Sequence, residues 1–96
     1  MKIKIKFFAN FRDILGRGEV TVSANNVREL LKYLRDNNEK LKEELFDDAE
    51  NLELNNFVNV VINGQRIEVL EGLDTELREG DTVSIFPPVA GGRRNQ

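Results

Sequence analysis

The amino-acid sequence predicts an α+β fold in which a mixed sheet of about five strands packs on one main helix. Three observations carry that expectation. The chain opens on strict alternation, "MKIKIKFF"; it holds one amphipathic segment long enough to cover a sheet face, "NNVRELLKYLRDNN"; and later apolar stretches, "FVNVVINGQRIEVL" and "GDTVSIF", are β-branched and bounded by turn residues. A striped helix and a sheet with one apolar face each need a cover, and each can cover the other.

In "MKIKIKFF", Ile3, Ile5 and Phe7 fall on one side of an extended segment and Lys2, Lys4, Lys6 and Phe8 on the other, so the first strand buries the former set. "ANFRDILG" spaces Phe11, Ile14 and Leu15 helically and stops at Gly16, which predicts a single short helix before a second strand over "EVTVS". Asn26 and Glu29 form an N-x-x-E capping pattern ahead of Val27, Leu30, Leu31 and Leu34, which repeat at i, i+3, i+4 and i+7. This is the main helix. Leu41, Leu45 and Phe46 predict a second, shorter helix inside "NNEKLKEELFDD", and "DDAENLELNN" reads as a polar loop. Asn63-Gly64 supplies the two positive φ angles of a type I′ turn between β-branched flanks, with Val58, Val60 and Ile62 on one face. After a turn-rich approach ending at Gly80-Asp81, Val83 and Ile85 alternate with Thr82, Ser84 and Phe86 in the last strand. Strand, strand, helix, strand, strand, strand on one long helix is the β-grasp arrangement.

Ninety-six residues make one domain, and a chain of that size buries only about 60 to 65% of its unfolded surface. Residues 1–88 are expected to form the domain and 89–96 a flexible tail carrying Gly91-Gly92 and four further residues. With no Cys and no His the chain has no thiol nucleophile, thiolate metal site or imidazole base. A net charge of -3 argues against nucleic acid, and the absence of a long apolar run argues against a membrane, so a soluble cytoplasmic protein is expected. The charged residues of "RELLKYLRDNNEKLKEE" lie opposite the leucine stripe and read as a solvated face. Asp47, Asp48 and Glu50 lack the ligand spacing and glycine of a calcium loop, so no metal is expected there.

Two features remain. Phe8 and Phe86 fall on the strand face turned away from the helix, where they either dock a partner or lie under the short helix or a loop. Pro87 and Pro88 fix their own φ and lack amide donors, so the chain should leave the last strand as a stiff arm through Val89 and Ala90 to a side-chain-free tip at Gly91-Gly92.

"FPPVAGG" at the end of a domain of this size and element order resembles the C-terminus of the small subunit of molybdopterin synthase. It is similar, more loosely, to the thiamine-pathway sulfur carrier and to ubiquitin-like modifiers. "KFFANFRDILG", "VNVVINGQ" and "LREGDTVSIFPPVAGG" extend the likeness to the opening strand and helix, the hairpin and the closing strand, covering residues 1–92 in the archaeal manner of this MoaD/ThiS family.

That resemblance implies a sulfur carrier that is not catalytic alone. The carboxyl of Gly92, preceded by Gly91, would be adenylated with ATP by a ubiquitin-activating-type enzyme, become a thiocarboxylate, and give its sulfur to a pterin in the large synthase subunit. Phe8, Phe86, Pro87, Pro88, Val89 and Ala90 would meet the partners; no cofactor would be bound. Because Arg93 to Gln96 follow Gly92, a processing peptidase is expected to remove them. Two other readings share the sequence: a ubiquitin-like modifier joined through Gly92 to lysines, and a plain interaction domain. An enzyme in its own right would need a nucleophile and base that the composition does not offer.

Overall fold

The computed structural model describes residues 1–87. Its order is β1 (Lys2–Phe7), α1 (Ala9–Leu15), β2 (Glu19–Ser23), α2 (Val27–Asn37), α3 (Glu39–Leu45), β3 (Phe46–Asp48), β4 (Glu53–Leu54), β5 (Asn59–Ile62), β6 (Gln65–Arg66) and β7 (Thr82–Phe86), with short 3₁₀ turns at Ile67–Val69 and Gly72–Asp74. Five strands form one mixed sheet in the order β2-β1-β7-β5-β6. β1 and β2 are antiparallel, β5 pairs antiparallel with both β6 and β7, and β1 runs parallel to β7 with Phe7 opposite Ile85. The first and last strands of the domain thus meet at the centre of the sheet.

Alternation in β1 sends Ile3, Ile5 and Phe7 inward, where they join Val83 and Ile85 of β7 and Val60 and Ile62 of β5. The helical stripe of α2, Val27, Leu30, Leu31 and Leu34, is buried in the same cluster, together with Phe11 of α1 and Leu41 and Leu45 of α3. α2 starts where the sequence places it: the Asn26 side chain accepts from the Glu29 amide at 2.8 Å. The Glu29 carboxylate returns to the Asn25 amide, also at 2.8 Å, one residue before the position a reciprocal capping box uses. Gly16 closes α1 at φ 75°, a left-handed conformation that suits glycine, and donates to the Arg12 carbonyl.

The hairpin turn has Asn63 at φ 48° and Gly64 at φ 92°, as a type I′ turn requires. Asn63 does a second job. Its side chain accepts from the Thr82 amide at 3.2 Å and donates to Asp81 at 3.0 Å, tying the hairpin to the start of β7.

One region differs from expectation. "DDAENLELNN" is not simply a polar loop: β3 and β4 make a small antiparallel sheet of their own, and Leu52 inside it is buried at φ 56°. Phe46 accordingly belongs to β3 rather than to the second helix, which ends at Leu45. The polar side chains hold this hairpin's turn. Asp48 accepts from both the amide and the side chain of Asn51, and Asp47 accepts from Asn55 at 3.2 Å.

Candidate functional site

The site begins where β1 and β7 end side by side. Phe7 and Ile85 are register partners in the parallel ladder, so the next residue on each strand, Phe8 and Phe86, emerges at the same level on the opposite face. Their rings stack with centroids 4.5 Å apart and planes 11° from parallel. Among the described residues both rings stay partly open: Phe8 is 38% exposed and Phe86 37%. Of the two outcomes the sequence left open, burial under the short helix or a loop is not seen among the described residues.

The backbone around Phe8 is built for this placement. Phe8 itself is extended, at φ -126° and ψ 156°, and serves as the N-terminal boundary of α1. The strand-to-helix geometry is set by the next residue: Ala9 adopts φ 52° and turns the chain off the strand axis. A left-handed alanine costs on the order of 1 kcal/mol, which the buried Phe7 and Phe11 on either side offset.

Along the same face Lys2, Lys4 and Lys6 stand exposed in a row leading to Phe8. Lys4 pairs with Glu19 of β2 at 3.7 Å. The carboxylates held below the usual range, Asp36 by its hydrogen bond from Arg35 and Asp48 by those from Asn51, belong to α2 and β3 and take no part in this site. No helix among the described residues is long and apolar enough to cross a membrane.

Of the partner-contacting residues expected from the sequence, Phe8 and Phe86 are brought together and Pro87 follows them directly, buried against the domain. Pro88, Val89, Ala90, Gly91 and Gly92 lie outside the described residues, as do Arg93 to Gln96. One aromatic was overlooked. Phe57 is 71% exposed and lies two residues before Asn59, the register partner of Phe86, so it stands at the same end of the sheet. The sequence signal was a lone Phe at the head of a β-branched run, read there as part of the strand.

The model of the ThiS family matches residues 5–92. Small archaeal modifier protein 3 of Haloferax volcanii is 36% identical over 95 residues, 96% of this chain and 100% of that protein. The sulfur carrier protein CysO of Mycobacterium tuberculosis is 32% identical over 77 residues, 80% of this chain and 83% of that protein. Among solved structures, small archaeal modifier protein 1 of Methanosarcina acetivorans superposes with a TM-score of 0.84 at 37% identity, covering 95% of this chain and 96% of that one. A putative molybdopterin converting factor subunit 1 of Pyrococcus furiosus gives 0.72 at 35%, covering 93% and 99%. The ubiquitin-like β-grasp fold is common ground to these relatives and to this chain.

Proposed function

Because the chain belongs to the ThiS family, we propose that it is a sulfur carrier of the molybdopterin-synthase small-subunit type, working through the carboxyl group of Gly92. The observation that carries this reading is the stacked, partly open Phe8–Phe86 pair at the end of β7, immediately before "PPVAGG" in the sequence. It offers a rigid apolar contact beside a segment ending in two glycines, which is what an enzyme needs to hold a domain and thread its tip.

The chemistry requires nothing from the carrier but that carboxyl group. After a peptidase removes Arg93 to Gln96, a Gly92 carboxylate oxygen attacks the α-phosphorus of ATP in the activating enzyme and pyrophosphate leaves. A hydrosulfide equivalent then displaces AMP at the acyl carbon, giving the thiocarboxylate. In the large synthase subunit the thiocarboxylate sulfur attacks a carbon of a pterin precursor and displaces an oxygen leaving group from it, and water then cleaves the acyl–sulfur bond, leaving the sulfur on the pterin and restoring the Gly92 carboxylate. The partner enzymes supply the charge stabilisation, and the carrier supplies position. Phe8 and Phe86 dock; Pro87, buried against the domain, fixes where the chain departs; Pro88, Val89 and Ala90 span; Gly91 and Gly92 enter the channel.

Intact-mass measurement of the protein from its native cell tests the proposal. A species ending at Gly92, with sulfur in place of one terminal oxygen, is expected. A population that retains Arg93 to Gln96 while cofactor synthesis proceeds would overturn it.

A second reading has its own support, the match to an H. volcanii modifier over nearly the whole chain. Here the activated Gly92 acyl group passes to a lysine amine with loss of AMP. Isopeptides between Gly92 and target lysines in a tryptic digest would favour this use over sulfur transfer.

A further inference from the structure

Beside the phenylalanine stack lies an open cleft of about 480 Å³, walled by Lys6, Phe8, Arg12, Arg17, Gly18 and Glu19. Three cations line it against one carboxylate. That carboxylate is already engaged: Glu19 is the register partner of Lys6, yet its ion pair is with Lys4, at 3.7 Å. Among the described residues Lys6, Arg12 and Arg17 have no ion pair at all.

A second cleft of similar size shows that this is not the rule for the molecule. Between α2, α3 and the β3–β4 turn, about 450 Å³ is lined by Arg35 and Lys42 facing Asp36, Glu39 and Glu50. There the charges neutralise one another, Arg35 with Asp36 at 2.9 Å and Lys42 with Glu39 at 3.4 Å. On a chain of net charge -3, an uncompensated cationic cleft touching the docking face is a directed feature.

We infer that the Lys6–Arg12–Arg17 cleft receives an acidic segment of the protein partner that grips the Phe8–Phe86 pair. The inference rests on the carrier reading and names the chemistry of its partner: an apolar seat for the two rings, bordered on the α1 side by Asp or Glu. Charge complementarity selects this occupant. The chain's own last residues include Arg93 and Arg94, which the cleft repels. Nucleic acid would bring negative charge too, but it would meet a molecule whose overall charge opposes it. The two parts of the site divide the work, the aromatic pair providing contact area and the cleft providing approach and orientation.

The test uses the full chain and the purified ubiquitin-activating-type enzyme of its own cell, with binding measured by titration calorimetry at low and moderate salt. Arg12→Glu/Arg17→Glu is expected to weaken binding by at least about tenfold and to flatten its salt dependence, and Lys6→Glu to act the same way to a smaller degree. All three side chains are exposed, so folding is preserved, which circular dichroism checks. Lys32→Glu/Lys40→Glu changes net charge equally on the helical side and should leave affinity within about twofold. Equal losses in both double variants, or none in Arg12→Glu/Arg17→Glu while the wild type binds, would overturn the inference alone. Failure of the wild-type chain to bind at all would overturn the carrier reading and the inference with it. Tighter binding of the wild type to a fluorescein-labelled single-stranded RNA than to the enzyme would replace the protein partner with nucleic acid.

Discussion

Phe7 and Phe8 are the same amino acid in successive positions, and the fold uses them for opposite ends. Phe7 is 2% exposed, packed with the sheet's inward residues under the helices; Phe8 is 38% exposed, stacked on Phe86 in the open. Ile85 and Phe86 repeat the division on the neighbouring strand, at 0% and 37%. A period of two therefore lets a pair of adjacent strands give one set of residues to the core and leave the alternate set for the proposed recognition, with no side chain shared between the two. Substitutions on one face should then leave the other's property largely intact.

The largest effect should come from the covered face. Phe7→Ala removes a buried ring from the core and should cost about 3–5 kcal/mol, read from urea unfolding. If the partner still binds any folded fraction with undiminished affinity, the division holds. Next comes the helix that does the covering. Asn26→Ala removes the side-chain acceptor of the Glu29 amide and should cost about 1 kcal/mol, with Asn26→Ser recovering most of it.

Phe86→Ser tests the open face. It should lower stability by only about 0.5–1.5 kcal/mol, the worth of an aromatic pair, while weakening the partner complex at least about tenfold. Unchanged affinity in the folded variant would remove the aromatic pair from the docking site.

The smallest effect is electrostatic and belongs to neither face. A hydrogen bond from Arg35 holds Asp36 below its ordinary value of 3.8, and hydrogen bonds from Asn51 do the same for Asp48. A carboxylate with a lower pKa folded than unfolded stabilises the fold above the unfolded value and loses that contribution as pH falls through the folded one. Their contribution to the urea midpoint should be constant above about pH 4 and decline below it, with a shallower decline in Asp48→Asn.

What the sequence disclosed depended on the range of the signal. The α2 cap and stripe and the Asn63-Gly64 turn were legible because a few neighbouring residues determine each. Alternation in β1 and β7 also put Phe8 and Phe86 on the outer face. Their stacking was not legible, because it depends on pairing strands about 80 residues apart, and nothing in either strand specifies that register. The β3–β4 hairpin was hidden differently. Its stretch is polar, its apolar anchors Phe46, Leu52 and Leu54 are sparse, and Leu52 sits at a positive φ that leucine seldom adopts. The cationic cleft draws Lys6 from β1, Arg12 from α1 and Arg17 and Gly18 from the following turn, so only the folded chain assembles it.

The position of β7 has a mechanical consequence. It is hydrogen-bonded on both sides, to β1 in parallel and to β5 in antiparallel, and the chain leaves for its last residues from that strand's end. A pull applied beyond Pro87 runs along the strand axis, so it loads both ladders together in shear instead of unzipping one bond at a time. Pulling between Met1 and the far end of the chain in optical tweezers should accordingly give one abrupt rupture, whereas stepwise peeling would contradict this picture. A domain with its outgoing strand at the sheet's edge would fray under such a load. Here the load would be shared by the strands on both sides of β7, so the sheet would hold until both ladders give way together.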